Sequence, residues 1–141
     1  MARKSLKVLI VDDIAVARDL LRAMLRSLHV TEILDASNGH DAVALYQRAR
    51  PDIVFLDIRM PGKDGLQALH EILALDPHAF VVMDSADSTA DNVRAAVQGG
   101  ARGFMVKPYN MQKVREILEQ HAALKASRKS AAWDDAQLPP V

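Results

Sequence analysis

The chain has 141 residues, half of them hydrophobic and about a quarter charged, which is the composition of one folded domain rather than of a disordered chain. Its 18 Lys and Arg residues balance 18 Asp and Glu residues, so no overall charge would recruit nucleic acid or an anionic membrane. The absence of cysteine excludes a disulfide framework and thiolate metal sites.

The first residues show no targeting or membrane segment. The apolar run over residues 8–11 is too short for the core of a signal peptide, and it ends at two aspartates. No stretch approaches the roughly 20 apolar residues that cross a bilayer. The sequence therefore predicts a soluble cytoplasmic protein that binds neither membranes nor nucleic acid.

Predicted strands and helices alternate from the start of the chain. Residues 6–11 form a β-branched, apolar run typical of a strand buried on both faces. A helix is predicted over residues 14–28, with an inward stripe made of Ala17, Leu20, Leu21, Met24, Leu25 and Leu28. A weaker strand over residues 31–36 precedes a helix that Asn38 is expected to cap.

The clearest buried strand covers residues 51–57 and ends at Asp57. A loop rich in turn residues then leads to a predicted helix over residues 65–75. Asp64 stands just before this helix, where capping is a better interpretation than a role in chemistry.

The alternation continues with a fourth strand over residues 79–83. A Ser-x-x-acid pattern starts the next helix at Ser88, and two glycines end it at residues 99–100. A fifth strand over residues 102–106 and a helix capped by Asn110 complete the series.

Strict alternation predicts an α/β fold with a doubly wound, five-stranded parallel sheet of the (βα)5 type. The domain is expected to cover residues 1–125. Residues 126–141, rich in Ser, Lys, Asp and Pro, are expected to form a flexible tail. Trp133 and Leu138 are the large apolar residues of this tail, and a docking motif built on them is the weaker interpretation.

Acidic and polar residues stand at the ends of four predicted strands. The first strand ends in Asp12 and Asp13, the third in Asp57, the fourth near Ser85 and the fifth in Lys107. Ligands of such folds bind beyond the carboxyl ends of the strands, so these side chains are expected to converge there. Each alone would be interpreted as a cap or surface group; their joint occurrence predicts a site.

The predicted site suits phosphoryl chemistry. Three neighbouring carboxylates repel each other unless a cation intervenes, and oxygen ligands with room for water favour Mg²⁺ over zinc or copper. The metal and Lys107 would neutralise a phosphoryl group, to which Ser85 would donate a hydrogen bond. Asp57 is therefore the predicted nucleophile, which forms an acyl phosphate.

These motifs resemble the receiver domain of bacterial two-component response regulators, most closely the single-domain, chemotaxis-type members. The resemblance runs from about residue 7 to about residue 123 and implies a flavodoxin-like fold. It is carried by Val11-Asp12-Asp13, by Asp57 with Met60-Pro61-Gly62-Lys63-Asp64-Gly65, by Ser85-Ala86 and by Lys107-Pro108.

The resemblance implies how the metal and the phosphoryl group are bound. Asp13, Asp57 and the backbone carbonyl of Arg59 would bind Mg²⁺ directly, and Asp12 would reach it mainly through water. A histidine kinase or a histidine phosphotransfer protein would phosphorylate Asp57.

The resemblance also implies a switch. Ser85 and Lys107 would contact the phosphoryl group, and Phe104 stands where the family has its switch aromatic. The peptide bond between Lys107 and Pro108 would be cis. The last two helices and the last strand would present an output face to a downstream protein partner, and the protein would be a monomer or a weak dimer.

Three places depart from the family pattern. Asp84 stands before Ser85, where an apolar residue is usual, so this acid would need solvent or a partner such as an arginine. Phe104 lacks the hydroxyl of tyrosine, so a switch there would act by packing alone. Arg59 and Asp87 flank the path of the attacking water, and an ion pair between them would shield the acyl phosphate.

Two other functions remain as alternatives. A Mg²⁺-dependent phosphatase or hydrolase with an aspartyl nucleophile usually needs a second acid where Arg59 stands, together with a substrate cap for which the chain has no room. An interaction module that is never phosphorylated is disfavoured by Asp13, Asp57 and Lys107. The sequence thus predicts a phosphoacceptor that is not an enzyme, apart from helping its own phosphorylation and dephosphorylation.

Overall fold

The computed structural model describes residues 6–87 and 89–137, with side chains as far as residue 128. Five strands and five helices alternate along it in the predicted order. The strands are β1 (Lys7–Val11), β2 (Glu32–Ala36), β3 (Ile53–Asp57), β4 (Val81–Ser85) and β5 (Gly103–Val106). The helices are α1 (Ala15–Ser27), α2 (Gly39–Ala49), α3 (Gly65–Leu75), α4 (Ala90–Gln98) and α5 (Met111–Gln137).

The five strands form one sheet in the order β2-β1-β3-β4-β5, and every neighbouring pair is parallel. The predicted doubly wound α/β fold is thereby confirmed. Strand β3 lies at the centre, and its register with β4 places Asp57 beside Asp84. All carboxyl ends lie along one edge of the sheet, which makes that edge the place to look for a site.

Side chains of the central strands alternate between two hydrophobic clusters, one on each face of the sheet. On β1, Leu9 and Val11 face the cluster under α2, α3 and α4, whereas Val8 and Ile10 face the one under α1 and α5. All four side chains are at most 1% exposed. Burial on both faces explains why this strand reads as an unbroken apolar run.

Side-chain caps fix the starts of the helices that border the site edge. Asn38, Asp64 and Thr89 each accept a hydrogen bond from the backbone N–H three residues further on. Asn110 accepts bonds from the N–H groups of the next helix in the same way. The cap of α4 is therefore Thr89 rather than Ser88, which lies outside the described residues.

One residue of the predicted apolar stripe on α1 is misplaced. Leu21 and Leu25 are fully buried as expected, but Leu20 is 45% exposed. Leu21 and Leu25 lie one turn apart on the inward face, and Leu20 lies about 100° from Leu21 on the side that faces solvent. Val16, one turn before Leu20 on the same side of the helix, is also exposed.

Helix α5 continues to Gln137, beyond the domain boundary expected at residue 125. The flexibility of residues 126–141 stays a prediction; the side chain of Trp133 and the whole of Leu138 lie outside the described parts. None of the helices within the described ranges is both long and apolar enough to span a membrane.

Candidate functional site

The edge formed by the carboxyl ends of the strands contains a cleft of about 340 Å³. It brings together five of the residues expected at the site: Asp13, Asp57, Arg59, Ser85 and Lys107. The other lining residues are Ile14, Ala86 and Asp87. Asp12, also expected at the site, does not line the cleft, because its side chain is fully buried.

Three carboxylates form a compact oxygen cluster. Ligand oxygens of Asp12, Asp13 and Asp57 all lie within 4.8 Å of one another. Asp13 is exposed, whereas the other two are buried. Carboxylate oxygens on a partly solvated rim match a small hard cation that retains some of its water, so the cluster can bind Mg²⁺.

Asp12 is held rigidly from both sides. Its Oδ1 accepts a bond from the backbone N–H of Ile14 at 2.9 Å, and its Oδ2 accepts one from Lys107 Nζ at 2.7 Å. Its own N–H donates to the carbonyl of Ala36, and Arg18 donates to its carbonyl. Asp12 therefore fixes the position of neighbouring groups and is not itself open to solvent.

Lys107 is the cation of the site and lies among three carboxylates. Its Nζ is 2.7 Å from Asp12 Oδ2, 3.4 Å from Asp57 Oδ2 and 3.8 Å from Asp84 Oδ1. Burial alone would lower the pKa of Lys107, but the hydrogen bond to Asp12 and the neighbouring negative charges raise that pKa above its usual value. Lys107 is therefore a permanent positive charge at the cleft.

Asp57 ends β3 and is 5% exposed. Burial raises the pKa of Asp57; Lys107 opposes this increase, the charge of Asp12 adds to it, and the N–H of Arg59 opposes it again. That N–H lies 3.4 Å from Asp57 Oδ1. The carboxylate thus depends on its neighbours to stay ionised, which is common for a group that reacts.

A glycine lets α3 approach Asp57 closely. A Cβ atom on Gly65 would collide with the backbone carbonyl of Asp57 and come within 2.7 Å of Ile58 Cα. The N–H of Gly65 donates to the carbonyl of Ile58 at 2.8 Å, which closes the loop after β3. Only a residue without a side chain fits this contact.

The structure shows how the fold accommodates Asp84, the acid that stands where the family usually has an apolar residue. Strand β4 extends to Ser85, beyond the end predicted at residue 83, so Asp84 lies inside the sheet and is 1% exposed. Its partners are the Tyr109 hydroxyl at 3.4 Å and Lys107 at 3.8 Å, not an arginine. Burial raises the pKa of Asp84 to about 8.

Tyr109 is a member of the site that the sequence reasoning missed. Its hydroxyl lies 3.4 Å from Asp12 Oδ2 and 3.4 Å from Asp84 Oδ1, and its side chain is 9% exposed. Burial and the adjacent acids raise the pKa of Tyr109. A polar aromatic residue two positions after Lys107, combined with an acid inside β4, was the signal that could have revealed the contact.

Ser85 and the loop that follows it form the other wall of the cleft. Ser85 Oγ accepts a hydrogen bond from the N–H of Asp87 at 3.0 Å. The expected ion pair across the mouth exists, with Arg59 Nη2 3.4 Å from Asp87 Oδ2. Because the Arg59 side chain is 74% exposed, this pair is a movable cover rather than a fixed support.

Phe104 is half-buried and packs against the cluster under α2, α3 and α4. It pairs in the sheet with Met83 of β4, two residues before Ser85. The peptide bond between Lys107 and Pro108 is cis, as the resemblance implied. The switch role of Phe104 stays a prediction.

Known proteins with similar sequences indicate the family of this chain. Residues 8–119 match the family model described as the response regulator receiver domain. The chemotaxis protein CheY of Listeria monocytogenes is 43% identical over 117 residues, which cover 83% of this chain and 98% of that protein. CheY of Thermotoga maritima is 38% identical over 114 residues, which cover 81% of this chain and 95% of its length.

Solved structures of receiver proteins share this fold. CheY in the CheX–CheY–BeF3–Mg complex of Borrelia burgdorferi superimposes with a TM-score of 0.78 at 35% identity, over 82% of this chain and 87% of that one. The receiver domain of the Pseudomonas aeruginosa sensor histidine kinase PA1611, solved with magnesium in its active site cleft, gives 0.75 at 27% identity, over 82% and 95% of the two chains. The chain belongs to the response regulator receiver domain family and has a role in phosphorelay signal transduction.

Proposed function

We propose that Asp57 accepts a phosphoryl group from a histidine kinase or a histidine phosphotransfer protein. The observation that carries this proposal is the position of Asp57: a buried carboxylate at the floor of an open cleft, 3.4 Å from a permanent cation. Asp13 is also acidic, but it lies at the exposed rim and has no such cation partner in the described contacts.

The transfer step balances with the groups present. An Asp57 carboxylate oxygen attacks the phosphorus atom of a phosphohistidine, and a new P–O bond forms as the P–N bond breaks. The donor imidazole leaves with the electron pair of that bond. Asp57 must be ionised to attack, and Lys107 opposes the effect of burial on its pKa.

Mg²⁺ is the cofactor of this proposal. Asp13, Asp57 and the backbone carbonyl of Arg59 would bind it directly, and Asp12 through water. When bound, the metal supplies charge neutralisation for the transferring phosphoryl oxygens. The oxygen cluster and the magnesium ion in the Pseudomonas aeruginosa receiver support this assignment.

Two further side chains would hold the phosphoryl group. Lys107 would pair with one of its oxygens, and Ser85 would donate a hydrogen bond to another. Ser85 Oγ accepts a bond from Asp87 N–H, which leaves the hydroxyl hydrogen for such a contact. Both side chains line the same cleft as Asp57.

Phosphorylation would shift the population of two conformations through Ser85 and Phe104. The output face proposed for a downstream protein comprises α4, β5 and the start of α5. Two exposed apolar side chains on it support this choice: Val97 is 63% exposed and Val106 46% exposed. The Borrelia burgdorferi relative was solved in complex with CheX, so a family member does bind another protein.

The proposal extends to the domain boundary, the location and the oligomeric state of the protein. A domain boundary near residue 125 is supported by the end of the family match at residue 119 and by Leu124, which still packs against the core. The proposal places the protein in the cytoplasm, as a monomer or weak dimer. It would be a phosphoacceptor switch and not an enzyme that turns over a substrate.

The test is phosphorylation of the purified chain with Mg²⁺ and a small-molecule phosphodonor. Wild type should gain the mass of one phosphoryl group, and Asp57→Asn should gain none. Asp64→Asn is the matched control, because asparagine retains the helix cap and changes an acid seven residues away. Equal behaviour of wild type and Asp57→Asn would overturn the assignment.

Repeated release of phosphate distinguishes the alternative function, an enzyme, from the proposed switch. A Mg²⁺-dependent hydrolase would release phosphate repeatedly from phosphate esters, whereas the proposed switch would react once per chain and recover slowly. Steady turnover that Asp57→Asn abolishes would favour the enzyme.

A further inference from the structure

Asp84 is a fourth carboxyl group beside the three that the site needs. It lies in the sheet next to Asp57, is 1% exposed and reaches Lys107. Its Oδ1 lies 3.8 Å from Lys107 Nζ and 3.4 Å from the Tyr109 hydroxyl. Neither Asp84 nor Tyr109 lines the cleft, so neither is placed to touch the phosphoryl group.

Tyr109 joins the two acids that hold Lys107. The same hydroxyl lies 3.4 Å from Asp12 Oδ2, and Lys107 Nζ lies 2.7 Å from that same oxygen. Asp12 and Asp84, which Tyr109 links, thus contact the ammonium group, and the Asp57 carboxylate lies 3.4 Å from it. Every buried polar side-chain atom among the described residues has a hydrogen-bond partner, so the network is complete.

We propose that Asp84 and Tyr109 are positioning residues that hold the Lys107 ammonium in a resting position beside Asp57, so that a phosphoryl group on Asp57 must draw Lys107 away from them. This inference rests on the proposed function of Asp57. It adds that the contact between Asp84 and Lys107 makes phosphorylation of Asp57 less favourable. An apolar residue at this position would make no such contact with Lys107.

The direction of the effect follows from the contacts. Lys107 can give up its contact with Asp84 only at a cost in free energy, and the phosphorylated state carries that cost. Valine suits a buried strand and has no oxygen in its side chain, so Asp84→Val should remove the cost. Asparagine keeps an oxygen that can accept bonds from Tyr109 and Lys107, so Asp84→Asn should largely retain it.

The first experiment measures the dissociation constant of beryllofluoride, a phosphoryl mimic, with Mg²⁺ and the full chain. The dissociation constant should fall about two- to fivefold in Asp84→Val, the range for loss of one ion-pair contact, and should change less than about twofold in Asp84→Asn. Tyr109→Phe should lower it in the same direction by less. Val82→Ala is the control, since it truncates a core residue on the same face of β4 without touching Lys107.

A double variant distinguishes a shared network from independent effects. If Asp84 and Tyr109 act as one unit, Asp84→Val combined with Tyr109→Phe should bind beryllofluoride as Asp84→Val does. Additive effects of the two substitutions, or an unchanged or weaker affinity in Asp84→Val, would overturn the proposal. A gain in Asp84→Asn equal to that in Asp84→Val would also overturn it, because the contact oxygen would then be irrelevant.

A second measurement needs no phosphoryl mimic. In protein labelled with ¹⁵N-lysine, the Lys107 ammonium group should be more mobile and shifted in Asp84→Val, but close to wild type in Asp84→Asn. An unchanged Lys107 signal in Asp84→Val would sink the positioning role by itself. If wild type does not bind beryllofluoride at all, the proposed function of Asp57 fails, and the ammonium signal still decides the role of Asp84.

Discussion

The two edges of the sheet each contain an aspartate beside a tyrosine hydroxyl, and the two pairs behave in opposite ways. At the amino-terminal edge, Tyr46 donates to Asp76 at 2.7 Å, and the Asp76 side chain is 30% exposed. At the site edge, Tyr109 lies 3.4 Å from Asp84, which is 1% exposed. The hydrogen bond from Tyr46 lowers the pKa of Asp76, whereas burial raises the pKa of Asp84 to about 8.

The difference shows that residue types alone do not decide what such a pair does. Asp76 is solvated and faces one hydroxyl, one backbone N–H and the more distant Arg50. Burial penalises the charged form of Asp84, Lys107 offsets part of this penalty, and the charges of Asp57 and Asp12 add to it. A solvated aspartate–tyrosine pair stabilises the fold. A buried pair among other acids instead has a carboxyl group with a raised pKa, as is common in functional sites.

Removal of each edge's cation should give the largest contrast. Lys107→Met leaves buried carboxylates without their counter-ion, so unfolding in urea at pH 7 should show a loss of about 3 kcal/mol. Arg50→Met removes a 51% exposed guanidinium 4.0 Å from Asp76 and should cost at most about 1 kcal/mol. The loss in Lys107→Met should shrink towards acid pH, because burial raises the pKa of Asp57 and its carboxylate then takes up a proton more readily. Equal losses at both edges would contradict this comparison.

Removal of the two acids should change stability in opposite directions. Asp84→Val exchanges a buried carboxyl for an apolar side chain and should raise the free energy of unfolding at pH 8 by about 1–3 kcal/mol. Asp76→Ala deprives the buried Tyr46 hydroxyl of its acceptor and should lower it by about 1 kcal/mol. Thermal unfolding of the two variants beside wild type measures both. No gain in Asp84→Val would show that the Tyr109 and Lys107 contacts already offset burial.

The pH dependence should separate the edges further. The folded pKa of Asp84, about 8, lies above its unfolded value of roughly 3.9, so the folded state binds the extra proton between them. Stability from this group is complete below pH 4 and is lost as pH rises to 8, by up to about 1.4 kcal/mol per pH unit. Asp76 has a lowered pKa, so its contribution is instead lost as pH falls in acid.

The measurement is the difference in unfolding free energy between wild type and Asp84→Asn across pH 5 to 8, which cancels the titration of other groups. The difference should change steadily, with wild type becoming relatively less stable as pH rises. The same comparison with Asp76→Asn should be flat over this range. A flat line for Asp84→Asn would mean that Asp84 titrates normally in the folded protein.

The smallest effect on stability is expected at the mouth of the cleft. Arg59→Ala breaks an exposed ion pair with Asp87 and should change the free energy of unfolding by less than about 0.5 kcal/mol. The rate at which the phosphorylated protein loses its phosphoryl group should change, because the pair covers the approach to Asp57. Phosphate release after removal of the donor measures it, and an unchanged rate would remove Arg59 from the mechanism.

The sequence predicted the order of the elements because β1 and β3 are largely apolar runs and because α2 to α5 begin at a capping side chain, although α1 begins at Ile14 without one. Asn38 and Asp64 show this directly, since both cap the helices assigned to them. Leu20 was wrongly assigned to the core because helical spacing does not define how many residues on either side of the apolar stripe are buried. The end of β4 was placed two residues early because Asp84 does not look like part of a buried strand.

The reactive groups were easier to predict than the network that supports them. Asp12, Asp57, Ser85 and Lys107 each stand at the end of a strand, and parallel topology alone brings strand ends together. Tyr109 and Asp84 meet through the path of the chain after β5, which brings the two side chains to 3.4 Å. A polar aromatic residue two positions after Lys107 hinted at a contact, but spacing along the sequence does not say which acid it meets, so an arginine was named where a tyrosine and a lysine are found.

The contact between Gly65 and Asp57 has a consequence for which sequences this fold tolerates. Gly62 has a positive φ of 74° but nothing within 4 Å of where a Cβ would be, so asparagine or aspartate should be accepted there at small cost. Gly65 meets backbone, which cannot move aside. In a library that varies both codons and selects for folded protein, position 62 should therefore drift to a few residue types, whereas position 65 should return glycine alone.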